Sequence, residues 1–164
     1  MQNAIAIRRA QPADAPFISE LILNVAHYFS SGSNGKVATW FLDSVAPLAI
    51  EGYISDTKYN YLVAHSERGL AGVIAVRDTT HIHHLFVSPE THRQGVATRL
   101  WTRAMADALN GGNTDGFFVR SSEYAVPVYT RFGFRVAGAR SEKDGVAFVP
   151  MRLELPPAPN NAGA

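Results

Sequence analysis

Apolar side chains recur along this chain with two periods, and each change of period marks an element. Phe17/Ile18, Leu21/Ile22 and Val25 recur every three to four residues, which places them on one face of a helix. Pro12 and Asp14 precede them, and both suit a first helical turn. This helix is expected to end near Tyr28-Phe29, ahead of the loop Ser30–Gly35. The pattern is clearest in Val96/Ala97, Leu100/Trp101, Ala104/Met105 and Ala108/Leu109, stopped by Asn110-Gly111-Gly112-Asn113. A shorter helix is predicted over Tyr124–Phe132, with Ala125, Val128, Tyr129 and Phe132 on its apolar face.

Shorter apolar runs read as strands: Ala4–Arg9 at an edge, Tyr61–His65, Leu70–Arg77, His81–Val87, Gly116–Arg120, Phe134–Ala137 and Val146–Leu155. The tight connections Ser66–Gly69 and Asp78–Thr80 make the three central runs an antiparallel meander. A right-handed crossover through the 95–109 helix sets 116–120 parallel to 81–87. The last two strands are expected to pair around Glu142–Gly145. Residues 36–60 are the least legible: one or two short helices fit Val37–Ile50, broken at Pro47, and Gly52–Asn60 suggests no element. Pro156–Ala164 lacks an apolar pattern and is expected to be a disordered tail. The fold class is α/β (α+β), a mixed, mostly antiparallel twisted sheet flanked by helices, in one domain over 1–155.

Composition narrows the function classes. With 164 residues, 46% hydrophobic and 18% charged, the chain supports one real core. A net charge of +1 and no Lys/Arg cluster argue against a nucleic-acid partner. No stretch reaches the ~20 apolar residues of a membrane span, and the N-terminus lacks a signal-peptide core. A cytoplasmic protein without a membrane partner is expected. The chain has no cysteine, which removes thiolate metal sites and cysteine nucleophiles.

The candidate chemistry lies between Leu85 and Trp101. Leu85-Phe86-Val87 ends at Ser88-Pro89, a short polar loop follows, and Gly95-Val96-Ala97 opens the helix. The first N–H groups of a helix have no intrahelical partner and carry partial positive charge, which suits an anion. Gly95 and Ala97 leave the backbone open to a diphosphate.

This order of pieces resembles the acyl-CoA-binding core of the GNAT N-acetyltransferase superfamily. Its signature, Gln/Arg-x-x-Gly-x-Gly/Ala, reads here His92-Arg93-Gln94-Gly95-Val96-Ala97, with histidine at the first position. A second piece, Ala125-Val126-Pro127-Val128-Tyr129-Thr130-Arg131-Phe132-Gly133-Phe134, resembles the family's Ala-x-x-x-Tyr-x-x-x-Gly-Phe. The resemblance spans residues 5–154 and is most specific in 81–101 and 117–137. It implies acetyl-CoA as co-substrate, its pantetheine along Leu85, Phe86 and Val87. Its diphosphate would rest on the backbone of Arg93, Gln94, Gly95, Val96, Ala97 and Thr98, beside His92. Ser122 stands where relatives often have a cofactor-contacting asparagine, and it can equally cap the helix that follows.

The resemblance also gives Tyr129 a role. Acyl transfer to an amine expels a thiolate, and a phenol (pKa about 10) held near the sulfur can protonate it. The alternative is a core tyrosine. His81 and His83 resemble the paired histidines of serotonin N-acetyltransferase. In a regular strand they share one face and His84 takes the other, so the pair could receive the proton of the amine. A polar strand face without chemistry is the alternative. His-x-His also suggests zinc, but no third ligand of suitable spacing is visible, and no metal is expected. The aromatics Tyr28, Phe29, Trp40, Phe41 and Tyr53 either line an acceptor pocket or, the favoured reading, fill the core.

The expected activity is N-acetyl transfer to a small-molecule or peptide amine, by direct attack in a ternary complex. The alternatives are a non-catalytic acyl-CoA sensor on the same fold and an interaction module that binds no CoA. A homodimer is compatible with either CoA-binding reading.

Overall fold

The computed structural model describes residues 4–28, 37–92 and 94–156. Strand β1 (Ala6–Arg9) leads through a 3-10 turn at Pro12–Asp14 into α1 (Ala15–Val25). Two short helices follow, α2 (Thr39–Ser44) and α3 (Pro47–Ser55). Then come β2 (Tyr59–Ser66), β3 (Gly69–Arg77), β4 (His81–Val87), α4 (Val96–Asn110), β5 (Phe117–Ser121), α5 (Val126–Arg131), β6 (Arg135–Val136), β7 (Ser141–Lys143) and β8 (Val146–Leu153). Among the described residues they form an eight-stranded sheet in the order β1-β2-β3-β4-β5-β8-β6, with β7 paired to β8. All strand pairs are antiparallel except β4 with β5.

Strand alternation sorts the core into two layers. Leu62, Ala64, Ile74 and Val76 face α4 and pack with Leu100, Trp101 and Ala104. Tyr61, Val63, Val73 and Ala75 face the other way and pack with Ile18, Ile22 and Ile50 from α1 and α3. β2 and β3 are therefore buried on both faces, which explains their near-continuous apolar runs. Gly72 of β3 lets α4 lie close to the sheet. A Cβ there would sit 3.0 Å from Val96 Cγ1, 3.1 Å from Leu100 Cδ1 and 3.1 Å from the Phe86 carbonyl oxygen.

Two expectations change. α3 continues through Glu51-Gly52-Tyr53-Ile54-Ser55 and β2 starts at Tyr59, so Gly52–Asn60 is mostly ordered structure. Gly52 breaks the apolar pattern, but tertiary packing of Ile50, Tyr53 and Ile54 onto α1 and the sheet holds the helix. The final hairpin is made by β7 and β8 around Asp144-Gly145. β6 pairs farther along β8, at Arg152 and Met151. Phe29, the loop 30–35 and residues 157–164 of the tail lie outside the described residues.

Candidate active site

β4 and β5 pair only through His81↔Phe118 and Ile82↔Val119. Beyond Ile82 the two strands part, and a cavity of about 700 Å³ opens between them. Leu85, Phe86 and Val87 line one wall, Ser121, Ser122 and Tyr129 another. The Ser88 N–H bonds to the Ala71 carbonyl at 2.8 Å. Antiparallel pairs alternate between bonded and non-bonded, so with Val87 opposite Gly72 and Leu85 opposite Ile74, Leu85 and Val87 turn their N–H and C=O groups to the open edge. Phe86 turns its groups toward β3 and its side chain packs against the core beneath α1 and α3.

The loop from β4 to α4 sits beside this edge. Gly95 has φ +73°, in the left-handed region, and serves as N-cap of α4 without a side-chain cap. A side chain there meets conformational strain rather than crowding, because an added Cβ touches nothing within 4 Å. The Arg99 N–H bonds back to Gly95, and the preceding N–H groups of the helix start have no intrahelical acceptor. Ala97 lines the cavity. Val96 is buried in the core, so only its backbone is available to a ligand. Gln94 and Thr98 are exposed and do not line the cavity; Arg93 lies outside the described residues. His92 reaches back, its Nε2 at 3.3 Å from the Val87 carbonyl oxygen.

The histidines depart from strict alternation. Ala75 pairs with His84 while Val76 pairs with Ile82, so His83 is the extra residue of a β-bulge. The bulge sets His83 and His84 on the same side, corrected from opposite faces: their rings stack 4.3 Å apart and both meet Tyr53, at 4.7 and 5.6 Å. His81 instead lies 5.3 Å from the Phe118 ring across the sheet. All three histidines line the cavity.

Burial drives the His83 pKa down to about 4, helped by Arg77 and His81. Burial also lowers His81, with Arg77 and Arg120 adding to it and Asp78 opposing. His84 is wholly enclosed and its pKa lies far below the ordinary value, through burial and then His83. Its Nδ1 is 2.9 Å from the Tyr61 hydroxyl. His83 Nε2 is buried without a hydrogen-bond partner among the described residues.

Tyr129 is 4% exposed yet sits on the cavity wall, so core packing and a site position coincide. Burial alone pushes its phenol well above the ordinary value. Ser122 closes the turn before α5, its Oγ accepting the Ala125 N–H at 3.2 Å, and it also lines the cavity. Tyr28, Trp40 and Phe41 line the cavity, which corrects the favoured reading of core aromatics for Tyr28 and Trp40, while Phe41 serves both. Phe41 and Tyr53 both pack against the core beneath α1 and α3. Tyr124, Phe148, Arg77 and Arg120 also line the cavity and were not singled out from the sequence. Val146 and Phe148, two apart on β8, were the available signal for that wall.

An acetyltransferase (GNAT) domain matches residues 28–155. The chain belongs to the GNAT acetyltransferase family. A UPF0039 protein of Schizosaccharomyces pombe is 32% identical over 80 residues, covering 48% of this chain and 53% of that one. The chain thus aligns with about half the length of that curated relative. Among solved structures, the chain is similar to the GCN5-related N-acetyltransferase of Rhodopseudomonas palustris, with a TM-score of 0.76 at 17% identity over 94% of this chain and 98% of that one. It also resembles the PaiA N-acetyltransferase of Thermoplasma acidophilum in complex with coenzyme A, with a TM-score of 0.67 at 18% identity over 93% and 99% of the two chains. At such identities the structural likeness establishes the GNAT fold, with its open, mostly antiparallel sheet flanked by helices. No helix among the described residues is long and apolar enough to cross a membrane.

Proposed function

We propose that this GNAT protein transfers an acetyl group from acetyl-CoA to a primary amine by direct attack in a ternary complex. The observation that carries the reading is the parting of β4 from β5 beside an uncapped helix start, with Tyr129 on the wall between them. The residues present fit the co-substrate. The Leu85 and Val87 backbone groups on the open edge suit the pantetheine amides. The α4 N-terminus, opened by Gly95, suits the diphosphate. His92 would yield the Val87 carbonyl as the pantetheine enters.

Bound acetyl-CoA supplies the thioester. The remaining steps belong to the chain. His83 is neutral at working pH because its pKa is about 4, so its unpartnered Nε2 can accept the amine proton. It is a weak base, and its part is to receive a proton as the new N–C bond forms, with His81 behind it toward Phe118 and the arginines. As the C–S bond breaks, Tyr129 donates a hydrogen bond to the departing sulfur. A thiol pKa of ~8.5 lies below that of a buried phenol, so complete transfer from Tyr129 is uphill. Stabilisation of the thiolate by hydrogen bonding is the larger part of its contribution, with solvent completing protonation.

Free-thiol release from acetyl-CoA with a panel of primary amines tests the reading. Amine-dependent thiol release with matching acetylated product by mass spectrometry is the expected result. A CoA-dependent rise in melting temperature with no turnover of any amine would leave a sensor. No rise and no turnover would remove CoA from the function.

A further inference from the structure

The cavity has a one-sided charge inventory. All 14 Asp and Glu side chains of the sequence belong to described residues, and none lines the cavity. Arg77 and Arg120 do line it. Arg77 meets only the exposed Asp78, at 3.6 Å, and Arg120 has no ion pair among the described residues. A third cation lies against a lining ring: Lys143 Nζ is 5.1 Å from the centroid of the Trp40 ring. An acceptor with two or more ammonium groups would bring its spare charge among these cations with no carboxylate to receive it, and like charges at such range repel.

Around Trp40 the wall is aromatic. Trp40 and Phe41 meet edge to face, and Phe148 tilts against Trp40 at 6.1 Å. Tyr28 stacks on Tyr124 at 5.0 Å. Among these rings the Trp40 indole N–H is buried with no hydrogen-bond partner among the described residues. A buried donor without an acceptor carries an uncompensated desolvation cost, and an oxygen on a bound molecule would offset it. The unpartnered Nε2 of His83, on the same cavity, is the group assigned above to the amine.

We propose that the acceptor is a primary amine on an apolar or aromatic body, with a carbonyl or carboxylate oxygen and no second cationic group, and that Trp40 N–H holds that oxygen. This rests on the acetyltransferase reading for the fate of the amine, but not for the pocket's ligand class. An α-amino acid with an aromatic side chain is the smallest molecule of this kind. The same chemistry occurs at a peptide N-terminus, where the oxygen is an amide carbonyl.

The test uses the full chain with four probes: phenylalanine, phenylalaninamide, phenethylamine and spermidine. Binding to the CoA-loaded protein is followed by saturation-transfer NMR, and turnover by acetylated product. The oxygen-bearing amines should bind and react at least about tenfold better than spermidine. They should exceed phenethylamine by about three- to tenfold, the range of one neutral hydrogen bond. Phenylalanine ahead of its amide would indicate a free amino acid; the reverse order would indicate a peptide N-terminus. In Trp40→Phe, which keeps a ring and removes the donor, the advantage over phenethylamine should collapse. The binding order without turnover would uphold the ligand class and overturn the catalytic reading. Preferred binding or turnover of spermidine would overturn the ligand class and leave the catalytic reading standing. An unchanged advantage in Trp40→Phe, or binding of none of the four, would overturn the proposal.

Discussion

Gly95 gives the sharpest separation of fold from ligand. Its φ of +73° costs an alanine about 1–2 kcal/mol, while an added Cβ meets nothing within 4 Å in the free protein. Gly95→Ala should therefore lower the melting temperature by roughly 2–8 °C, using the ~2–4 °C per kcal/mol expected for a chain of this size. Gly95→Asn tolerates the left-handed conformation better and should lose less. Ligand affinity should follow a different order. Any side chain occupies space over the helix start where a diphosphate would rest, so both variants should bind acetyl-CoA at least about tenfold more weakly, or about 1.4 kcal/mol. Gly95→Glu, which adds a like charge, should be weakest. Calorimetric titration gives the affinity and differential scanning the stability. If folded Gly95→Asn bound acetyl-CoA as tightly as the parent, the helix start would not be the diphosphate site.

Tyr129→Phe should lower kcat about a hundredfold, the low end for acid–base groups, with acetyl-CoA affinity held within about twofold. Turnover within about twofold of the parent would make Tyr129 a packing residue. His83→Gln should lower kcat/KM at pH 7 by about tenfold, less than a well-tuned base contributes, and raising the pH should restore part of it as free amine becomes abundant. The His81→Gln, His83→Gln double variant should behave likewise, and a pH profile parallel to the parent's would reject the relay. His83 and His84 have folded-state pKa values below the ordinary 6.5, so the unfolded chain binds more protons and stability rises with pH. That contribution is present above pH 6.5 and is lost as pH falls toward 4. The melting temperature should drop across that window, and His84→Gln should flatten the drop if it folds. Gly72→Ala forces a methyl against Val96 and Leu100, so a loss of about 1–3 kcal/mol, or roughly 2–12 °C, should appear in thermal melts.

Much of this protein is written in local pattern. The four-residue recurrence from Val96 to Leu109 defines α4, because Val96, Leu100, Trp101, Ala104 and Ala108 are buried on that face and helix geometry needs no distant partner. The short turns at Ser66–Gly69 and Asp78–Thr80 make the meander antiparallel, since so few residues cannot cross a sheet. Gly95 between a strand and that helix marks the proposed anion cradle, and with Ala125–Phe134 it carries the family resemblance. What the tertiary structure decided depends on two elements at once. The bulge at His83 is a mismatch of register between β3 and β4, so no period within His81–Val87 announces it, and it reverses where His84 points. The parting of β4 from β5 depends on how far a parallel pair zips after a crossover, and only that parting makes Leu85 and Val87 an open edge. Trp40 and Phe41 have the composition of core residues. They line the cavity although Phe41 also packs against the core beneath α1 and α3, and an indole N–H and an imidazole nitrogen are left with no partner of their own among the described residues.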